Sequence, residues 1–295
     1  MLPDASATYQ HNLDGCCHQV TLTQEVEWVE KPDVIIGGPP CQPFSVGGHQ
    51  QGLKDSRDGF PIFLSAVEHC RPQLALFENV RGMLYRNKGY FEEIVIALRN
   101  LEYIVEWEIL TASHYGVAQR RQRLFCVAHR GDWVWPKKTY LNFPYTAGEA
   151  LGELAYTIPK NANFLTPNMD KYIKKYEKAS KCVRPRDLHL NQPARTVTCR
   201  NISAPTGDML RILLPDGRRR RLTVQEAARL QSFPDWFEFQ GSEESQFNQI
   251  GNAVPPLLAK TLAGSVKNYL NHCTPTAMSD EKILHQPIQL SLKLF

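Results

Sequence analysis

The chain has no apolar run approaching the length of a membrane span, and its opening, MLPDASATYQ, has neither the basic nor the apolar region of a signal peptide. Both absences point to the cytoplasm. It also has no CxxC pair. The eight cysteines, at 16, 17, 41, 70, 126, 182, 199 and 273, are too scattered for a zinc cluster or for the disulfide framework of a small secreted scaffold. Most therefore read as small buried hydrophobes. Neither charge nor apolar content is extreme: 22% charged and 42% hydrophobic residues exclude a disordered chain and a membrane protein. A length of 295 residues suits one large domain plus a smaller one.

What the chain does have is localised positive charge. The net charge of +4 permits a polyanionic partner without demanding one. Its placement says more, because basic residues gather in RNKGY, QRRQR, DKYIKKYEKASK and DGRRRR.

The first half alternates strands and helices. Residues 33–36, 74–77, 103–110 and 124–128 are short apolar runs suited to buried strands, while 58–70 and 90–101 carry helical spacing. In the second helix Phe91, Ile94, Ile96 or Ala97, and Leu98 fall near one face, with Leu101 a turn further on. Such alternation implies an α/β domain with a parallel sheet covered on both faces, whose ligands bind where loops leave the carboxyl ends of strands.

Three stretches end at that rim. GGPPCQPFS, residues 37–45, follows the strand at 33–36. Its glycines allow close approach and its prolines fix φ, so Cys41 sits on a stiff pedestal. The loop alone reads equally well as a proline-rich surface loop with an incidental cysteine. PQLALFENV, residues 72–80, places Glu78 and Asn79 at the end of the next strand, so Cys41 and Glu78 can face one pocket. A lone glutamate there also suits a solvated residue or a helix cap. HYGVAQRRQRLFCV, residues 114–127, sets Arg121 and Arg123 two apart on extended backbone, where they point the same way. Fixed charge there can lower a thiol pKa, orient a carboxylate or bind phosphate or base oxygens; a solvated basic strand is the plain alternative.

In this order the stretches resemble those of the DNA cytosine-5 methyltransferases: GGPPCQPFS the nucleophile loop, FENV the glutamate motif, QRRQR the arginine motif. Downstream, RPRDLHLNQPARTVTCR resembles the segment supporting the target-recognition region and QIGNAVPPLLAKTLA the closing motif, so the likeness spans roughly residues 3–270. It implies a Rossmann-like S-adenosylmethionine-dependent methyltransferase fold with a smaller target-recognition domain. The expected division is 1–130 catalytic, 131–222 target recognition, 223–272 returning to the catalytic domain, and a tail at 273–295. It further implies methyl transfer from S-adenosyl-L-methionine to C5 of a flipped-out cytosine in double-stranded DNA, within a restriction-modification system and without a metal. Cys41 would add to C6. Glu78 would engage the N3 edge, Arg123 the carbonyl oxygen, and Arg121 would orient nearby carboxylate or phosphate groups. Pro39, Asn252 and Ala253 would meet the cofactor, and Gln42, Ser45, Arg195 and Thr196 the DNA. In LTVQEAARLQSFP, Thr223 and Glu226 have capping-box spacing. Arg218 to Arg221 read as a phosphate-facing or a merely solvated run.

The likeness fails at one place. The family begins with a strand and a glycine-rich loop that holds the cofactor, then a second strand whose terminal glutamate binds ribose, and neither is present here. PDASATYQHNLDG resembles the helix after that second strand, and Thr21 stands near where an aspartate is usual. The first strand-helix-strand unit, on the order of 30 residues, is therefore missing. Its first strand would lie between a strand near residue 20 and the one at 33–36. Residues 1–295 alone are expected to bind the methyl donor poorly and to risk folding poorly, since each buried backbone group left unpaired costs about 1–3 kcal/mol. A start lying upstream, a second polypeptide that supplies the unit, and a non-catalytic DNA-binding remnant all stay open. A transfer-RNA cytosine methyltransferase shares the motifs, and a cysteine hydrolase pairing Cys41 with His114 is the weaker reading. The tail HQPIQLSLKLF alternates Ile288, Leu290, Leu292 and Leu294 as a strand does.

Overall fold

The computed structural model describes residues 3–23, 26, 28–29, 31–40, 58–160, 162–179, 186–203 and 207–272. Cys41, Gln42, Ser45, the loop that follows them and the tail lie outside the described residues. In chain order the elements are α1 (Pro3–Asn12), β1 (Val34–Gly37), α2 (Phe60–Cys70), β2 (Leu74–Val80), α3 (Lys88–Asn100), β3 (Ile104–Thr111), β4 (Gln122–His129), α4 (Ala147–Leu151), α5 (Pro167–Ala179), α6 (Cys199–Ser203), β5 (Arg211–Leu213), β6 (Arg219–Arg221), α7 (Val224–Leu230), α8 (Glu243–Asn252) and α9 (Pro256–His272). They divide between two compact units. One comprises residues 1–21, 111–121 and 137–262; the other comprises 22–110, 122–136 and 263–295. Among the described residues no helix is long and apolar enough to cross a membrane.

The second of these, the sheet unit, is built on the strand order β1-β2-β4-β3. β1 runs parallel to β2, with Gly37 opposite Phe77, whereas β4 runs antiparallel to β2, with Phe77 opposite Cys126. The all-parallel sheet expected from strand-helix alternation is thus corrected to a mixed one, because apolar runs reveal strands but not their direction. Phe77 anchors the core, with Phe60, Phe63 and Phe91 set edge-on around it at centroid distances of 5.0, 5.7 and 6.5 Å. α3 buries Tyr90, Phe91, Ile94, Val95 and Leu98, while Ile96 is half exposed. The inward face therefore takes Val95 rather than Ile96, one position from the expected set. β1 is not the buried strand expected at 33–36, since Ile36 is 69% exposed and β2 is its only strand neighbour among the described residues. Residues 16–23 form no strand.

The other unit packs Leu151, Val197, Ile202, Leu222, Leu230, Phe247 and Ile250 into a separate core. Its β5–β6 hairpin carries the arginine run, and the run is neither merely solvated nor uniformly phosphate-facing. Arg220 is fully buried and forms a two-pronged pair with Glu226 at 2.7 and 2.9 Å. Arg219 bonds both carboxylate oxygens of Asp187 at 3.1 Å, and Arg218 lies over the Phe164 ring and is paired with Asp216. Glu226 also accepts from the Thr223 backbone at 2.8 Å, while the Thr223 hydroxyl accepts from Glu226 N at 3.2 Å. That is the capping box read from the sequence, with a buried guanidinium added.

Two substitutions separate these roles in urea unfolding of the full chain followed by circular dichroism. Thr223→Ala, which removes only the cap, is expected to lower stability by about 1 kcal/mol. Glu226→Gln, which also strands a buried charge, should cost about 3 kcal/mol or more. Equal losses would show that the Arg220 pair adds nothing to the cap.

Candidate active site

In the sheet unit the backbone leading to Cys41 is clamped before the cysteine is reached. β1 ends at Gly37, where a Cβ would approach the Phe63 ring to 2.8 Å, so only glycine lets the strand end lie on α2. The chain then runs into Pro39, which is buried, and Pro40. The Asn79 amide donates to the Pro39 carbonyl at 3.1 Å, and the Gly59 N–H donates to the Pro40 carbonyl at 3.3 Å. Asn79 is itself buried, and its oxygen accepts from Val80 N at 2.8 Å. A Cβ on Gly59 would meet Pro40 at 2.5 Å. Asp58 sets the other side of this contact by accepting from Phe60 N at 3.1 Å at the start of α2 and from the Tyr90 hydroxyl. Both residues immediately before Cys41 therefore have φ fixed by their rings and their carbonyls held by hydrogen bonds.

At the same end of β2, Arg123 and Glu78 form an ion pair, Nε to Oε1, at 2.9 Å with side chains 15% and 18% exposed. The antiparallel register explains it: Arg123 lies opposite Val80, two residues from Glu78 and on the same face. Burial lowers the Arg123 pKa and the adjacent Glu78 carboxylate opposes that, so the guanidinium stays charged at any working pH. Pro39, Glu78, Asn79 and Arg123 are thus brought together by one parallel and one antiparallel strand pairing.

Arg121 does something different. The RQR spacing at 121–123 predicts that Arg121 and Arg123 point the same way, but Arg121 precedes β4 and belongs to the other unit. It is 2% exposed, and its guanidinium donates to the carbonyls of Val197 at 2.8 Å and Gly251 at 3.1 Å. It ties the segment after Thr196 to α8. The expectation that it serves beside Arg123 is corrected on this geometry. In an extended segment two residues apart share a face, and that rule does not hold across the start of the strand.

Other residues of this unit fall around the same tie. Arg195 donates twice to Asp208, to the carboxylate and to the backbone carbonyl, both at 3.0 Å. The Thr196 carbonyl accepts from Asn201 at 2.8 Å. Asn252 is exposed at the end of α8 and its Oδ1 receives the Cys199 thiol at 3.1 Å. Burial raises the Cys199 pKa, which suits a neutral donor. Gly251 lets these parts close, since a Cβ there would stand 2.3 Å from Cys199 N. The Ala253 carbonyl accepts from Gln231 at 2.8 Å, and Gln231 is fully buried with Gln119 against it. Gln119 in turn accepts from Val197 N at 3.0 Å and donates to the Leu230 carbonyl at 3.1 Å. Asn79 and Gln119 stand inside the FENV and QRRQR stretches and Gln231 inside LTVQEAARLQSFP, but nothing in those stretches shows which distant carbonyl each amide meets.

Comparison with known proteins agrees with this architecture. The sequence matches the C-5 cytosine-specific DNA methylase family over residues 2–268. It is 61% identical over 272 residues to the Type II methyltransferase M.AplI of Arthrospira platensis, covering 92% of this chain and 79% of that protein. It is 33% identical over 297 residues to M.MthTI of Methanothermobacter thermautotrophicus, covering 88% and 89% of the two chains. Among solved structures, a DNMT2 mutant of Spodoptera frugiperda superposes with a TM-score of 0.66 at 18% identity over 90% of each chain, which speaks for the fold alone. With a match running through almost all of its described residues and a relative this similar, the chain belongs to the C-5 cytosine-specific DNA methylase family.

Proposed function

We propose that this chain methylates C5 of a cytosine flipped out of a specific duplex DNA sequence, as part of a cytoplasmic restriction-modification system, with Cys41 as the nucleophile. The observation that carries the reading is the clamp on Pro39 and Pro40 next to the Glu78–Arg123 pair. A thiol that must approach C6 of a base from one direction gains from a backbone that cannot rotate beneath it.

The cysteine thiolate adds to C6 and the C5–C6 electron pair moves toward C5, making that carbon nucleophilic. Glu78 serves the N3 edge and supplies its proton, while Arg123 holds Glu78 in place and faces the carbonyl oxygen of the base. Once C5 carries its methyl group, transfer of the C5 proton to a base re-forms the double bond and expels the thiolate, and the N3 proton returns to Glu78. Arg121 is a positioning residue, acting through Val197 and Gly251. Gln42, Ser45, Arg195 and Thr196 are assigned to DNA, residues 131–222 to target recognition, 1–130 with 223–272 to catalysis, and 273–295 to a tail.

S-adenosyl-L-methionine is the methyl donor of the family and supplies an electrophilic sulfonium methyl group. Of the residues assigned to it, Pro39 belongs to the sheet unit and Asn252 and Ala253 to the other, and each is described within its own unit. Asn252 is exposed, and its amide nitrogen has no partner among the described residues. Ala253 is held by Gln231, and Pro39 offers a buried apolar surface. None of the three is a carboxylate, so the ribose end of the donor needs another source. The edge of β1 that has no strand neighbour among the described residues, and the exposed Ile36, favour a strand-helix-strand unit seated there, from an upstream segment or a second polypeptide.

Mixing the chain with S-adenosylmethionine and a duplex library containing 5-fluorocytosine tests the chemistry, because fluorine cannot leave as the C5 proton does. A denaturation-resistant complex absent from Cys41→Ser is expected. No complex, even after a polypeptide carrying the glycine-loop unit is added, leaves a DNA-binding remnant. In the competent assembly Glu78→Gln should lower the methyl-transfer rate by about 10²-fold or more. Asn79→Ala should lower the rate while leaving the duplex Kd within about twofold, since the clamp sets geometry rather than affinity. A change confined to Kd would place Asn79 in DNA binding instead.

A further inference from the structure

α5, PNMDKYIKKYEKA, sorts its charges by face. Met169 and Ile173 point inward to Leu165 and Met209. Both acidic residues of the helix are used up beside that apolar stripe: Glu177 accepts from buried Arg211 at 2.7 Å and Asp170 from Arg219 at 3.3 Å. Arg211 and Arg219 also share Asp187, so the acids form part of a closed internal network. Burial works against the Arg219 charge, but Asp187 and Asp170 outweigh it and hold the pKa above its ordinary value.

The outward face is left to lysine. At about 100° per residue, Lys174, Lys178, Lys171 and Lys175 fall within an arc of about 100° and rise roughly 10 Å along the helix axis. All four are exposed and none has an ion pair among the described residues. Tyr172, 55% exposed and stacked on Tyr176, borders the stripe. A helix that merely faces water interleaves signs, because like charges three or four apart repel. Lys171–Lys175 and Lys174–Lys178 are such i,i+4 pairs, and Lys171–Lys174 and Lys175–Lys178 such i,i+3 pairs. The fold draws away the acids that would relieve them.

We propose that the lysine stripe of α5 is a docking surface for the phosphate backbone of duplex DNA, with Lys171, Lys174, Lys175 and Lys178 as the contacts. Phosphates relieve the repulsion and release counterions, giving affinity and orientation without sequence choice. This rests on the DNA-methylating function proposed above and adds a surface that receives the phosphate backbone. The internal arginine network fixes the stripe on one side of the helix, so it meets the DNA as a rigid row.

The test is the salt dependence of duplex binding by the full chain, read by fluorescence anisotropy. The variant carries Lys171→Gln, Lys174→Gln, Lys175→Gln and Lys178→Gln. A control with the same charge loss carries Lys31→Gln, Lys137→Gln, Lys260→Gln and Lys267→Gln, all at exposed positions. The slope of log Kd against log salt should fall by about 2 to 4 in the stripe variant, at roughly 0.9 per phosphate contact, and by less than about 1 in the control. Glutamine keeps helix propensity close to that of lysine, and an unchanged melting temperature confirms an intact α5. Equal slopes in variant and control overturn the proposal while leaving the function proposed above standing. A parent chain without salt-dependent duplex binding, or one that prefers single-stranded RNA, overturns both.

Discussion

The parallel seating of β1 on β2 is the constraint from which the rest of the candidate site follows. Gly37 lies opposite Phe77, and Phe77 is held edge-on by Phe60, Phe63 and Phe91. A ring fixed on three sides cannot slide, so the register of β2 is set, and with it the positions of Glu78 and Asn79 beyond the ring. A slip of one residue would send Asn79 to the opposite face of the sheet and release Pro39. Two prolines alone fix φ but not ψ. The hydrogen bonds from Asn79 and Gly59 supply the missing restraint by holding the carbonyls, so the stiffness below Cys41 belongs to the aromatic core as much as to the loop.

In the other unit the division of labour is between two kinds of cation. Arginine goes inside, where its planar fork meets carboxylates or carbonyls: Arg121 to Val197 and Gly251, Arg211 to Asp187 and Glu177, Arg220 to Glu226. Lysine, a strongly hydrated point charge, stays outside on α5. Counting both as positive charge makes DGRRRR and DKYIKKYEKASK look alike. Chemically they differ, since Arg219 and Arg220 are paired inside while Lys171, Lys174, Lys175 and Lys178 have no ion-pair partner among the described residues. Net charge therefore says little about where a polyanion sits, whereas the fate of each acidic neighbour says a good deal.

What could be read from the sequence follows the same logic of local versus distant cause. The capping box at Thr223 and Glu226 is local, and it forms as its spacing requires. The strands were placed to within a few residues because short apolar runs bounded by polar residues mark them, although β1 proved half-exposed rather than buried. The antiparallel course of β4 was not legible, since a run reads the same in both directions. The inward turn of Val95 in place of Ile96 depends on which neighbours α3 meets. The parting of Arg121 from Arg123 depends on where β4 begins and on carbonyls 76 and 130 residues away in sequence. Asn79, Gln119 and Gln231 act through carbonyls that any residue supplies, so nothing in the chain marks their partners. The motif residues Glu78 and Arg123 were legible because their resemblance to a family preserves the outcome of such long-range contacts.

The edge of β1 without a strand neighbour among the described residues bears on how a donor-binding unit would join this chain. Each compact unit closes a core of its own, one around Phe77 and the other around Leu230 and Phe247, and neither core is built on the outer edge of β1. With no strand neighbour there among the described residues, the cost is local, confined to a four-residue strand whose Ile36 faces water and whose polar groups water can satisfy. An added strand would gain the hydrogen bonds of one short ladder and the burial of Ile36. Those gains depend on the register of β1, which Phe77 already fixes. A unit seated on that edge would share its strand with the clamp on Pro39 and Pro40, so seating it would stiffen the clamp. A rise in protection of the β1 amides would accompany donor affinity rather than precede it.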